Sequence, residues 1–263
     1  MKEDAPASDQ HFHNFREVEH MADHGMRYTY DGTFGGCLCA VLAALRSGRV
    51  PASITGRKGQ DGSKDAIDVV TSFKDAQYLY SMIAVKSCAE VQQMTSDYFL
   101  TDSSGLEINL YKMIFCALKY GAGIAEDYKS EMMNGIQMAI RDLYREAQST
   151  LTGLDFYYGE EATCALIAPK NSVLPIIRKT VLKRRDMDNL IIYDKRHHLL
   201  LERYSERSML LDISNFPLWD FKNPSEAYTC LWPFVRDNRF NVRADPMNKK
   251  SGSVIEPLWL KAS

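Results

Sequence analysis

Three amphipathic segments in the middle of the chain limit the fold more than any other feature of the sequence. They run over about 74–94, 106–120 and 127–148. In the third segment, apolar residues recur at spacings of three and four, which places them on one face of a helix. These residues are Met133, Ile136, Ile140, Leu143 and Ala147. The pattern predicts an α-helical layer with one apolar face.

The region before this layer has strand-type and turn-type patterns. The predicted order is a strand over 26–30, a helix over 34–46, a loop over 47–64 and a strand over 67–71. Asp31 and Gly32 turn the chain after the first strand, and Thr33 is a residue type that caps helices. We therefore predict a fixed structural turn at Gly32 and Thr33.

The region after the layer alternates between strands and helices. The predicted strands lie at 151–158, 163–168, 190–193, 199–204 and 209–213, and a helix lies at 171–185, capped by Asn171 or Ser172. Asn223, Pro224 and Glu226 mark the start of a further helix, which Pro233 should end or kink. Together these elements predict an α+β fold, with a small mixed β-sheet packed against the α-helical layer.

Chain length and composition favour one domain inside the cell. Residues 1–24 carry six acids and two bases with four histidines, and they read as a disordered tail that chelates metals weakly. We expect the remaining residues, 25–263, to form a single domain. The six cysteines are scattered without a CxxC pair, which fits thiols in a reducing cytoplasm. No apolar run is long enough for a membrane span, so we expect no membrane partner.

Cationic side chains concentrate in the second half of the chain, although the formal net charge is −2. The candidate phosphate contacts are Arg178, Lys179, Lys183, Arg184, Lys195 and Arg196. If these two segments converge beside the Asp31 turn, they would form a basic concavity for nucleic acid. The alternative is an ordinary solvated helix face whose cations complement the helix dipole.

A second candidate site lies at the end of the buried strand 190–193. His197 together with Asp194 resembles an oriented general base, and Asp31 is a third candidate acid–base residue. The alternative is a charged turn between two strands. The sequence has no Walker A, HExxH or GxSxG motif, and the glycines at 121–123 follow a helix rather than a strand. We therefore predict no metal and no cofactor.

Three segments resemble a bacterial family labelled a probable DNA metabolism protein. The first is YTYDGTFGGCLCAVLAAL at 28–45, which is similar to the family's opening strand, turn and helix. The second is CALIAPKNSVLPIIRKTVLKRRDMDNLIIYDKRHHLLL at 164–201. The third is LWPFVRDNRFNVRADP, followed by EPLW at 256–259. The family is a domain of unknown function that occurs with a radical-SAM protein of DNA modification or repair and with uracil-DNA-glycosylase-like proteins.

The chain departs from this family at three positions. Asp155 stands where the family has arginine, Thr180 where it has histidine, and Arg185 where it has phenylalanine. The resemblance therefore carries no active site over to these positions. The chain also lacks the CxxxCxxC of a radical-SAM cluster, so it is not itself the radical enzyme.

These features support three hypotheses about function. The first is an accessory protein in DNA repair or DNA modification that positions DNA or a partner enzyme, namely the radical-SAM protein or the uracil-DNA-glycosylase-like protein that the resemblance implies. The second is an enzyme that acts on a nucleobase or nucleotide by acid–base chemistry. The third is a scaffold that binds only protein.

Overall fold

The computed structural model describes residues 25–56, 65–126, 130–183, 188–204, 207–213, 220–238 and 253–254. Within these ranges the chain has seven α-helices and two β-sheets, which confirms the predicted α+β fold with helices packed on sheets. The predicted tail at 1–24 lies outside the described residues. The chain divides into two compact units, one ending at Arg141 and the other beginning at Asp142. A single domain over 25–263 stays a prediction.

The first unit is built on a three-stranded parallel sheet with the strand order β2-β1-β3. Its strands are β1 (Arg27–Tyr30), β2 (Ser53–Gly56) and β3 (Ala66–Asp68). Its helices are α1 (Phe34–Ser47), α2 (Phe73–Lys86), α3 (Ala89–Phe99) and α4 (Leu106–Tyr120), and a 3₁₀ turn follows at Gly121–Glu126. Helix α5 (Glu131–Thr152) spans the boundary between the two units.

Local capping starts two of these helices. The Thr33 hydroxyl accepts a hydrogen bond from the Gly36 amide at 2.9 Å, as the predicted cap requires. The Ser72 hydroxyl accepts one from the Asp75 amide in the same way. Gly48 then ends α1 with a φ of 66°, which a residue without a side chain adopts easily.

Two sequence predictions in this unit were wrong in detail. The predicted loop at 47–64 contains strand β2, whose four residues include only one apolar side chain, Ile54. The predicted helix over 74–94 is two helices, because the backbone leaves helical geometry at Ser87 and Cys88. The Ser87 hydroxyl donates to the Ile83 carbonyl and so satisfies the end of α2. Neither glycine nor proline marks this break in the sequence.

The second unit contains a six-stranded sheet with the order β4-β5-β6-β7-β8-β9. The strands are β4 (Phe156–Tyr158), β5 (Thr163–Ile167), β6 (Asn189–Asp194), β7 (Leu199–Tyr204), β8 (Arg207–Asp212) and β9 (Ser253–Val254). Strands β5 and β6 are parallel, and α6 (Leu174–Leu182) connects them. The other neighbouring pairs are antiparallel, including the predicted β7–β8 hairpin.

Helices cover both faces of this sheet. Helix α7 (Pro224–Asn238) packs on one face, where Ile191 and Tyr193 join Leu231 and Trp232 in a buried cluster. Side chains alternate along a strand, so Leu190, Ile192 and Asp194 point to the opposite face. Helix α6 lies on that opposite face. Its residues Leu174, Ile177 and Val181 are buried.

Three boundaries in this unit differ from prediction. Helix α5 continues to Thr152, so strand β4 begins at Phe156 rather than at 151. Helix α6 begins after Val173, and neither Asn171 nor Ser172 caps it, because the Asn171 side chain binds Glu146 instead. Helix α7 continues through Pro233 instead of ending there. Its predicted start is confirmed, since Asn223 accepts from the Glu226 amide and Glu226 accepts from the Lys222 amide.

Candidate functional site

The strand β6 ends in a turn that is organised around the carboxylate of Asp194. Asp194 is fully buried, and its Oδ1 accepts hydrogen bonds from the amides of Arg196 at 3.0 Å and His197 at 3.1 Å. These two amides lie two and three residues further along the chain, which is the arrangement of an Asx turn. A buried carboxylate is costly unless hydrogen bonds compensate for lost water, and this one has three donors.

The third donor is the imidazole of His197. Its Nδ1 lies 2.8 Å from Asp194 Oδ2, and the side chain is 24% exposed. A carboxylate accepts hydrogen bonds, so Nδ1 carries the proton in this pair and Nε2 is the nitrogen left for another partner. The predicted pairing of Asp194 with His197 is therefore confirmed in geometry.

A second carboxylate, that of Glu146 on α5, lies near this imidazole. Glu146 accepts from the Lys170 amide at 2.6 Å, from the Asn171 amide at 2.9 Å and from the Asn171 side chain at 2.7 Å. Burial alone would raise the pKa of Glu146. These hydrogen bonds and the nearby His197 outweigh it and hold the pKa below its ordinary value. Glu146 thus fixes the loop that leaves β5 beside the turn that leaves β6.

Sequence reasoning missed Glu146 and Asn171 as members of this cluster. Glu146 sits on the polar side of an amphipathic helix, where a glutamate carries no special signal. The residue type and position of Asn171 predict a helix cap instead. Only the packing of α5 beside the loop that leaves β5 brings Glu146 to Asn171 and close to His197.

The cluster is suited to oriented proton transfer. A buried carboxylate that accepts a hydrogen bond from imidazole Nδ1 fixes the orientation of the ring and leaves Nε2 as the nitrogen that can exchange a proton with a ligand. The carboxyl ends of parallel strands are also where open α/β sheets bind ligands. The same contacts would equally fasten a turn. Among the described residues, no group of three or more His, Cys, Asp or Glu side chains is placed to hold a metal ion.

Asp31 belongs to the first unit, where it organises the turn between β1 and α1. Its Oδ1 accepts from the Thr33 amide at 2.9 Å and the Thr33 hydroxyl at 2.7 Å, and its Oδ2 accepts from the Thr71 hydroxyl at 2.7 Å. Gly32 has a φ of 85°, which favours glycine. The predicted structural turn at Gly32 and Thr33 is confirmed, and the described contacts of Asp31 hold that turn.

Arg178 has a structural role among the candidate phosphate contacts. Its Nη2 donates to the backbone carbonyl and to the hydroxyl of Ser208, both at 3.0 Å. It therefore ties α6 to strand β8. Lys195 lies 3.5 Å from Asp220, and Arg196 is exposed. Arg184 and Arg185 lie outside the described residues.

The structure does not bring Lys183 and Lys195 together. Helix α6 returns the chain from the carboxyl end of β5 to the amino end of β6, so Lys183 lies near the start of β6. Arg203, which pairs with Leu190 at that end, donates to the Leu182 carbonyl and confirms this placement. Lys195 follows the other end of β6, six residues or roughly 20 Å along the strand.

Lys179 on α6 and Lys183, the residue that directly follows this helix, are exposed cations on one helix face. Lys179 and Lys183 are four residues apart, so their side chains project in the same direction. No ion pair between described residues involves either of them. Thr180, at the position where the family has histidine, is exposed on the same helix, and Asp155 is exposed before β4.

No protein-family model matches the sequence. The comparison with curated proteins gives no significant match either. The family likeness therefore rests on the three motifs described above. Of the helices in the described ranges, none combines the length and apolar character that a membrane span needs.

Proposed function

We propose that the protein is an accessory protein in DNA repair or DNA modification, and that it contacts DNA phosphates through Lys179 and Lys183. One observation carries this proposal: both lysines are exposed on one face of α6 without a carboxylate partner among the described residues. Side chains of this kind bind phosphates and release counterions. The family resemblance supports the same assignment.

The helix that presents these lysines is held firmly. Arg178 binds Ser208 on one side, and Arg203 caps the carbonyl of Leu182 at the helix end. Val181 and Ile177 anchor the helix on the sheet. A fixed helix loses less conformational freedom on binding than a flexible loop, so two lysines suffice for a weak, salt-dependent contact.

The test is DNA binding by the variant Lys179→Gln/Lys183→Gln across a series of salt concentrations. Because this variant cannot neutralise the two phosphates, the slope of log affinity against log salt should flatten by about 1.8 for duplex DNA. The matched control is Lys74→Gln/Lys86→Gln, which removes two exposed lysines from α2. Equal slopes for the wild type and the α6 variant would contradict the proposal.

The partners and the compartment are part of the same proposal. The resemblance points to a radical-SAM protein and a uracil-DNA-glycosylase-like protein as partners. A cytoplasmic location fits the cysteines, because Cys37, Cys116 and Cys164 are buried and burial raises the pKa of Cys164 to about 12. Such thiols stay protonated and need no disulfide to be stable.

A second candidate function is acid–base chemistry on a nucleobase or nucleotide. The observation that favours it is the 2.8 Å contact between buried Asp194 and partly exposed His197. In this reading His197 Nε2 takes or gives the proton, and Asp194 orients the ring. The described contacts of Asp31 serve the β1–α1 turn, and its acid–base role stays a prediction.

This second function is tested by incubating the protein with oligonucleotides that contain each natural base or uracil. Mass spectrometry should show a modified or released base, and His197→Gln should abolish that product. His198→Asn is the matched control, because asparagine tolerates the positive φ of 56° at that position. If no oligonucleotide gives a product, the enzymatic hypothesis is contradicted. If both tests fail, the remaining hypothesis is a scaffold that binds only protein.

A further inference from the structure

One row of side chains crosses the sheet of the second unit at the amino ends of β5 and β6. The strand register aligns Tyr158 with Thr163, Thr163 with Leu190, and Leu190 with Arg203. Directly aligned residues point to the same face of a sheet. Leu190 faces the α6 side, so Tyr158 and Arg203 face that side as well.

The end of helix α6 lies over this row. Arg203 Nη1 donates to the Leu182 carbonyl at 3.1 Å, and the next residue, Lys183, is exposed. Tyr158 is three strands away from Arg203, over which the end of α6 lies, and this corresponds to about 14 Å across the sheet. The exposed ring of Tyr158 and the exposed ammonium group of Lys183 therefore lie at the same end of the same face of the sheet.

Two adjacent tyrosines on β4 have opposite environments. Tyr157 faces the α7 side, where its ring centroid lies 5.4 Å from that of Tyr228. Tyr158 is 68% exposed, the largest exposed fraction among the tyrosines of the described residues. Tyr157 thus packs against the fold. Packing within the described chain gives no comparable reason for the Tyr158 ring.

We propose that this protein binds single-stranded DNA more tightly than duplex DNA, and that one base stacks on Tyr158 while Lys183 and Lys179 contact phosphates further along the same strand. This inference rests on the proposed DNA-binding function and names its substrate class. An unpaired base offers its π face for stacking, whereas a duplex keeps its bases stacked on one another. The combination of an aromatic platform with nearby cations therefore selects single strands.

The turn after β4 carries two carboxylates, those of Glu160 and Glu161, which differ in how strongly they would repel a bound phosphate. Glu161 accepts a hydrogen bond from the Trp232 indole and lies 3.6 Å from Arg236, both on α7. Its charge is thus directed to the α7 side and partly compensated. Glu160 is exposed in the same turn and should weaken the binding of any nucleic acid. It does not alter the preference for an unpaired base.

The test measures fluorescence anisotropy of a labelled oligo-dT strand and of the same strand in a duplex. Tyr158→Ala should weaken single-strand binding about tenfold and leave duplex binding unchanged, since stacking on one aromatic ring supplies roughly that factor. Tyr158→Phe should retain the affinity because it keeps the ring. The matched control is Tyr78→Ala, which removes an exposed tyrosine from α2.

A direct readout comes from Tyr158→Trp, whose fluorescence should be quenched by the single strand but not by the duplex. Unchanged single-strand affinity in Tyr158→Ala, or an equal loss for both DNA forms, would overturn this inference. If the Lys179 and Lys183 variant still weakens both forms, the proposed function stands and only the single-strand inference fails. If the wild type binds neither form, the proposed function itself fails.

Discussion

The two units of the chain use the same local device in different surroundings. Each has an aspartate at the carboxyl end of a strand, followed by a turn whose donors bind that carboxylate. Asp31 is exposed and accepts from an amide and two hydroxyls. Asp194 is fully buried and accepts from two amides and an imidazole.

The two turns differ in whether water can replace the hydrogen bonds that are lost when the carboxylate is removed. Water can reach the Asp31 turn, so it can satisfy donors there when the carboxylate is removed. Water has little access to the Asp194 turn, and a buried donor without an acceptor carries its full desolvation penalty. The same residue type in a similar turn should therefore contribute more to stability in the second unit than in the first.

The largest expected effect is that of Asp194→Ala compared with Asp31→Ala. We expect Asp194→Ala to destabilise its unit by about 3 kcal/mol and Asp31→Ala by about 1 kcal/mol. Hydrogen–deuterium exchange resolves the two units separately, with β6 reporting on one and α1 on the other. If both variants showed comparable exchange, the buried Asp194 and the exposed Asp31 would not differ in their contribution to stability. Asp194→Asn, which keeps one acceptor oxygen, should fall between the wild type and Asp194→Ala.

The next largest effect concerns Gly36, whose lack of a side chain leaves space for the Asp31 carboxylate. A Cβ at Gly36 would lie 2.2 Å from Asp31 Oδ1 and 2.8 Å from Thr71 Oγ1. Gly36→Ala should therefore cost about 2 kcal/mol, although alanine is the better helix former. The double variant with Asp31→Ala should recover part of that loss, because it removes the nearest clashing atom.

The matched control for Gly36 is Gly135→Ala on α5. A Cβ there meets nothing within 4 Å, so this variant should be neutral or stabilised by up to about 1 kcal/mol. The stability of both variants is measured by thermal unfolding, with hydrogen–deuterium exchange of α1 as the readout. A strictly additive double variant would show that Gly36 and Asp31 do not interact.

The smallest effect should be that of Glu146→Gln, and it should depend on pH. The pKa of Glu146 is held below its ordinary value, so its contribution to stability is present above pH 5 and is lost as pH falls through the lowered pKa. Because the side chain is only half-buried, we expect a cost of about 1 kcal/mol at pH 7.

Exchange of the loop at 168–173, measured at pH 7 and pH 3, tests this dependence. The difference between the wild type and Glu146→Gln should shrink from pH 7 towards pH 3, because protonation removes the charge of the carboxylate that accepts these hydrogen bonds. A difference that stays constant over this range would mean that the shape of Glu146, not its charge, holds the loop. Asp142→Asn, an exposed carboxylate on the same helix, is the control.

Much of the fold could be predicted because its signals are local. Four members of the predicted stripe, Met133, Ile136, Leu143 and Ala147, are buried as their spacing predicted, and the fifth, Ile140, is half-buried. The cap at Thr33 and the capping box at Asn223 and Glu226 use neighbours within three residues. Strand β2 and the break at Ser87 could not be predicted, because neither has a composition that separates it from its surroundings.

The candidate site divides along the same line. Asp194 and His197 are three residues apart, so their pairing follows from the turn that the sequence encodes. Glu146 reaches the loop at Lys170 and Asn171 from 24 and 25 residues away, and Tyr158 lies in one row with Arg203 that crosses the four strands β4 to β7. The direction of α6 between the parallel strands separates Lys183 from Lys195.

The sequence by itself therefore determined the helices, caps and turns, since these depend on contacts within a few residues. The tertiary structure alone decided which charges are buried, tied to the fold or exposed, because that depends on how the sheet aligns distant segments.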